Sequence, residues 1–395
     1  MGGPLEGIKV FDLTQWMVGP WGSTQLGALG ADVIHIEMPD IAWNTLGAGV
    51  PPTINGTSIG YIAWNMNKRA MSLDLKLQEH RQKAYELLKT CDVFFANTRP
   101  GIPERLGMDY ETIKQINPRI VYCLVTGWGE TGPMRDDAGA DTQVQYFTGL
   151  PSGTGVPEGH DEVYRHFTQV DGTTGNYCAM AILMALVARK RTGKGQLVEL
   201  SMLRAASALQ TVRIGEFLSS GMLPARLGNA AQSTAPDRAY FCSNKKYVGI
   251  SITSETEWQA FCEVIGRPEL AADSLYATNS DRVAHRKQLD AILEPIFASM
   301  PVDYWLMYLG RAGVPVGYQM AWQELRHHKQ VLDNKYIVEV ETAAWGLVSS
   351  GGPAFHLSKT PATWFGTPFP GQHDAEIDME IAASRTSASA TKQEA

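Results

Sequence analysis

The run QVDGTTGN, residues 169–176, holds the strongest candidate for chemistry in this chain. Asp171 stands there just ahead of a strongly apolar helical stretch, residues 177–187, which closes on Ala188, Arg189, Lys190 and Arg191. A carboxylate at the start of a buried helix lies among unpaired backbone N–H groups and in the positive field of the helix N-terminus, which favours its ionised form. Gly172 and Gly175 carry no side chain, so a bulky substrate can approach the backbone there. A carboxylate held in this way can attack an activated acyl carbon and form a covalent intermediate. Asp is also a favoured N-cap, which would make Asp171 purely structural. The stretch by itself supports both readings.

Such a residue needs a frame. Strands are predicted over residues 8–13, 31–37, 93–96, 120–125 and 196–201, with a short one at 73–75. Helices are predicted over residues 23–29, 77–89 and 110–116, and again from the end of the last strand to about Ser219. Strands alternating with helices give an α/β fold with a parallel, doubly wound sheet. The first strand-helix-strand unit raises a dinucleotide site, with Glu37 on the ribose. The turn after the first strand excludes it: residues 15–22 read QWMVGPWG, not G-x-G-x-x-G, and Pro20 and Trp21 would block a pyrophosphate.

A chain of 395 residues is too long for one ordinary core. The large domain takes residues 1–220, a loop-rich linker 221–236, and a small domain with a hairpin and helical stretches 237–315. The chain then returns to the large domain over 316–383, and the small, polar residues 384–395 are expected to be disordered. At 44% hydrophobic and 19% charged the composition is that of a soluble globular protein. The net charge of −7, with no basic stretch interleaved with aromatics, argues against nucleic acid as a partner. The five scattered cysteines have no metal-ligand spacing and suit a reducing compartment, and no metal is expected. No signal-peptide pattern opens the chain, and the longest apolar run reads as too short and interrupted for a bilayer, so the expectation is a cytoplasmic protein without a membrane partner.

Six stretches, in this order and spacing, resemble the class III CoA-transferases, the family of formyl-CoA and carnitine CoA-transferases. They are PLEGIKV (4–10) with GALGADVIHIE (27–37), NKRAMSLD (67–74), NTRPGIPERLG (97–107), TGWGETGP (126–133), the Asp171 run, and TGKGQ (192–196). The likeness is looser after Pro236. It implies a Rossmann-like large domain built from both chain ends, a small α+β domain, and an interlocked dimer. It also implies CoA thioesters as substrates and Asp171 as the nucleophile, passing through an aspartyl anhydride and an aspartyl-CoA thioester, with backbone N–H groups near Gly172 stabilising the oxyanions. Lys68, Arg69, Arg99 and Arg105 lie in stretches that border the family's CoA groove, Asn97 is placed to bond pantetheine or adenine, and Asp141 matches an acid near the active site.

Three departures from the family pattern matter. Met17 stands where some members carry Gln, and it is a poor hydrogen-bond donor, so Gln15 or backbone donors would substitute. The glycine-rich lid of formyl-CoA transferase is replaced by residues 227–232, LGNAAQ, and Met38 stands where relatives carry a basic CoA contact. Trp16, Met17 and Trp21, with the apolar loop 47–52, point to a bulky, even aromatic, acyl pocket, with succinyl-CoA as a plausible donor. Two alternatives remain open. One is a non-catalytic CoA-binding subunit of a heteromer, as in the transferase for benzylsuccinate. The other is an α-methylacyl-CoA racemase, disfavoured because Ala140 replaces the basic His of the family's Gly-His-Asp triplet.

Overall fold

Short apolar strands buried on both faces are the signature of a parallel sheet covered by helices. The computed structural model describes residues 2–38, 50–155, 164–342 and 344–393. Its main sheet has six strands: β1 (Lys9–Leu13), β2 (Asp32–Glu37), β3 (Arg69–Ser72), β4 (Val93–Ala96), β5 (Val121–Thr126) and β6 (Gln196–Ser201). They run in the order β3-β2-β1-β4-β5-β6, and every neighbouring pair is parallel. This is the doubly wound, Rossmann-type order, and it agrees with the α/β expectation.

Helices cover both faces. On one, Phe11, Phe94 and Tyr122 stack across β1, β4 and β5, with centroids 5.6 and 4.5 Å apart. They share a core with Leu87 and Leu88 of α2 (Gln78–Leu88), Ile113 of α4 (Tyr110–Ile116), and Ile377 and Ile381 of the C-terminal helix (Asp374–Gln393). A short helix, α3 (Ile102–Leu106), lies between α2 and α4. On the other face α1 (Val18–Ala28) crosses α6 (Gln169–Thr192). The crossing is closed by glycines: a Cβ on Gly175 would lie 2.7 Å from the Val18 carbonyl oxygen, and one on Gly22 would lie 2.9 Å from the Gly175 carbonyl oxygen. Gly175 therefore serves helix packing, not substrate approach.

Several expectations are corrected. α1 begins five residues earlier than predicted, because Gly19 and Pro20 sit in its first turn, where Pro costs no hydrogen bond. The third sheet strand is Arg69–Ser72, not residues 73–75. The tail from Ser384 is helical through Gln393, since Ala-rich sequence continues the preceding helix. α6 is, by length and composition, long and apolar enough to cross a bilayer, against the sequence reading. Part of it packs on α1, β5 and β6, while Met180, Met184 and Val187 are exposed.

The chain divides into a large unit (residues 2–148, 166–211 and 330–393 among those described) and a small one (149–155, 164–165 and 212–329). The small unit holds an antiparallel sheet of β7 (Asp237–Phe241), β8 (Tyr247–Ser251) and β9 (Val316–Tyr318). It is larger than the predicted 237–315. β9 pairs with β8, which delays the return to the large unit. The supposed linker is pinned as well: Asn279 bonds Ser233 and Ala235, Arg282 bonds the Ala235 carbonyl, and Arg286 bonds the Thr234 carbonyl.

Candidate active site

In an open parallel sheet, ligands sit beyond the carboxyl ends of the strands where the strand order reverses, here between β1 and β4. The loops leaving β1 and β4 border a cavity of about 1220 Å³. Gln15, Trp16 and Met17 line it from the first loop, and Thr98, Arg99 and Arg105 from the second loop and α3. The end of β5, residues 135–141, Asp171 and Met202 complete the wall, so every lining residue belongs to the large unit.

Asp171 is not an N-cap. α6 starts two residues before it, after Thr168, whose φ of 51° is left-handed and whose side chain makes no capping bond. The cap comes from another helix, α5 (Asp141–Phe147). Asp141 Oδ1 accepts from the backbone N–H of Val170 (2.9 Å) and of Asp171 (3.2 Å). The Asp171 carboxyl is thereby left to face the cavity. Burial and then the charge of Asp141 push it up to about 7. The expectation that the helix field alone keeps it ionised is corrected: these two effects oppose that field and prevail. Gly172 N–H donates to the Thr168 carbonyl (3.0 Å), so it is not the oxyanion donor expected of it. The open space above Gly172 is bordered by Met17, whose Cε would lie 3.8 Å from an added Cβ.

Asn97 holds the β1 loop. Its Oδ1 accepts from Gln15 N–H (2.7 Å) and its Nδ2 donates to the Gln15 carbonyl (2.6 Å). These bonds engage one of the amide's two donors and one of its oxygen's lone pairs, and Asn97 itself lines the cavity. The next residue, Trp16, is left-handed at φ 62°, a strained setting for a bulky side chain, and is 56% exposed where it lines the cavity. Trp21 does not line the cavity. It packs on Gly175, and its indole N–H donates to Asn176 (2.9 Å). Residues 47–49 of the apolar loop lie outside the described residues.

The expected cations separate into two groups. Arg99 and Arg105 line the cavity and are exposed, and among the described residues neither forms an ion pair. Lys68 and Arg69 are elsewhere. Lys68 is fully buried, 3.1 Å from Asp12 Oδ2, and donates to Asn65. Burial pushes its ammonium pKa down. Burial pushes Asp12 up, yet Lys68 and His35 hold it well below the usual carboxylate range. Arg69 pairs with Asp32, Glu376 and Glu380, tying β2 and β3 to the C-terminal helix. A buried ion pair and a saturated guanidinium leave nothing to offer a phosphate. The sequence reading missed Lys76 and Arg135, which line the cavity, and Gln145, which contacts Asp141. A lone Lys just ahead of a helix and an amide four residues after Asp141 were the available signals.

A family model for CoA-transferase family III matches residues 5–374. The chain belongs to this family. It is 34% identical over 379 residues to the mouse succinyl-CoA:glutarate CoA-transferase, covering 96% of this chain and 86% of the relative. To the Acetobacter aceti acetyl-CoA:oxalate CoA-transferase it is 34% identical over 357 residues, covering 89% and 88%. A CAIB/BAIF family protein from Brucella suis has a similar structure, with a TM-score of 0.86 at 31% identity, covering 96% of this chain and all of that one. This CoA-transferase therefore moves CoA between an acyl-CoA and a carboxylic acid.

Proposed function

We propose that Asp171 is the covalent nucleophile and that the reaction passes through two anhydrides. One observation carries this: Asp171 puts its carboxyl into a cavity bordered by Arg99 and Arg105, while another residue performs the capping. An Asp171 oxygen attacks the donor thioester carbonyl, the C–S bond breaks, and CoA thiolate leaves a mixed anhydride. The thiolate attacks the Asp171 carbonyl, releasing the donor acid and forming an aspartyl-CoA thioester. The acceptor carboxylate displaces the thiolate to give a second anhydride. The thiolate then attacks the acceptor carbonyl, yielding the new acyl-CoA and free Asp171. Each activated bond replaces another of similar reactivity, so no nucleotide is consumed. A carboxylate with a raised pKa is the stronger nucleophile once ionised.

Arg99 and Arg105 are suited to the CoA phosphates. The acyl end meets Trp16, Met17 and Met38. Those walls favour a bulky, apolar dicarboxylic acid, aromatic included, with succinyl-CoA as donor, a donor named among the relatives. Trp21 lies outside the cavity and forms no part of these walls. Ala140 at the cavity supplies no base for racemisation. The protein acts as a dimer, homomeric or with a homologous subunit: Met180, Met184 and Val187 form an exposed stripe on α6 that an isolated subunit would leave wet.

Trapping with hydroxylamine or borohydride during turnover is expected to label the peptide that contains Asp171. Retained turnover in Asp171→Ala would refute the nucleophile. Specificity constants should favour bulky dicarboxylic acids over formate and oxalate, and the reverse order would refute the acyl assignment. Light scattering on the purified chain, alone and with a homologous subunit, tests the dimer.

A further inference from the structure

Gln145 is wholly buried in α5 and belongs to no step of the reaction. It lies four residues after Asp141, on the same face of the helix. Its Nε2 donates to Asp141 Oδ2 (2.6 Å) and to the His166 carbonyl (2.5 Å), while its Oε1 accepts from His166 N–H (3.2 Å). One amide thus grips both backbone polar groups of His166, ahead of α6, and, with the same nitrogen, the carboxylate that caps α6. The cap has no local substitute, since Thr168 makes no side-chain capping bond.

We propose that Gln145 is a positioning residue for the transfer reaction: its amide fixes Asp141 against the first turn of α6 and so fixes the Asp171 carboxyl. The inference rests on Asp171 being the nucleophile. Asp141 does two things at Asp171. It binds the Asp171 backbone N–H, which sets where the side chain emerges. It also places a negative charge beside the Asp171 carboxyl, which helps raise that group to about 7. The other titratable and charged groups near this region are Lys76, Arg99, Arg105, Arg135, Asp136 and Asp137 around the cavity, and His166 on the segment entering α6. Asp141 is the charge that moves Asp171. Without Gln145, Asp141 loses the donor that holds its Oδ2 and turns away from α6. That weakens the like charge beside Asp171, so the Asp171 carboxyl then titrates lower.

The test is Gln145→Met, which keeps side-chain volume and removes the donors. Carboxyl titration in protein carrying 13C-labelled Asp reads the Asp171 midpoint without any need for turnover. The midpoint is expected to fall by about one pH unit, with kcat down about tenfold and KM for the acyl-CoA little changed. Gln145→Asn is too short to span Asp141 and His166 together, and it should behave alike if the Met variant does not fold. An unchanged midpoint in the folded variant overturns the inference, even with Asp171→Ala inactive. Full turnover by Asp171→Ala, with the midpoint of Gln145→Met shifted, would instead overturn the nucleophile and leave the Gln145 contact standing.

Discussion

The proton on Asp171 is the residue-scale question with the most direct readout. Burial and Asp141 put its titration at about 7, and only the ionised form can attack a thioester. The kcat/KM of the free enzyme is therefore expected to rise as pH increases through about 7 and to level off above it. A profile flat from pH 5 to 9 in initial-rate assays would contradict this. Lys68 gives the second prediction at this scale. Removing one member of a buried ion pair costs up to about 3–5 kcal/mol when the other charge is stranded, and here Asp12 keeps His35, Thr14 and Ser23, so the low end applies. Lys68→Met should lower stability by that order in urea unfolding. CoA affinity in the folded fraction should be unchanged, because the ammonium faces Asp12 and not the cavity. The stretch around Asp171 fits a cap as well as a nucleophile, so the sequence singled it out only through the resemblance to the CoA-transferases, and its place at the cavity wall depends on strands and loops far from it in the chain. The Lys68 contact was not legible, because a charged residue type carries no record of which partner its fold provides. Gln145 was equally hidden, since its role depends on the His166 segment that it meets in space.

At the scale of elements, the strands were the most legible feature. β4 and β6 lie on the predicted residues, because short apolar runs between turn signals leave little alternative. The start of α1 was not legible: Gly and Pro read as a turn until the α6 crossing shows that small residues are needed there. That crossing can be tested. A side chain at Gly175 meets the Val18 carbonyl at 2.7 Å and the Trp21 ring at 2.9 Å, and backbone cannot swing aside. Gly175→Val is expected to cost about 1–3 kcal/mol or more by thermal unfolding. It should also impair turnover in whatever protein folds, because α6 carries Asp171 one turn before Gly175, on the same face. A variant of full stability and full activity would show that the helices have room.

For the whole molecule, the charge balance sets the terms of ligand capture. The protein carries a net −7, yet CoA is polyanionic, so binding depends on local cations against an unfavourable overall field. Arg105 is exposed at the cavity, and Arg105→Ala should weaken CoA by about 1–3 kcal/mol in calorimetry if it meets a phosphate. Raising salt should weaken CoA in the parent protein and less so in this variant, since exposed charges are screened. Unchanged affinity at low salt would remove Arg105 from the site. The two-unit organisation was legible only in outline, because β9 and the loop at residues 233–236 join the small unit through pairings that no local pattern reveals.

The grip of Asn97 on Gln15 has a consequence for the protein's shelf life. Side-chain amides hydrolyse slowly in storage, and such a loss converts Asn97 to Asp. The donor that meets the Gln15 carbonyl would become a second oxygen, and attraction would turn to repulsion one residue before Trp16 and its strained turn. An aged preparation would then hold molecules with an intact sheet, intact cores and a slackened pocket. Its activity should decline in step with the deamidated fraction at Asn97 while its melting temperature stays nearly constant.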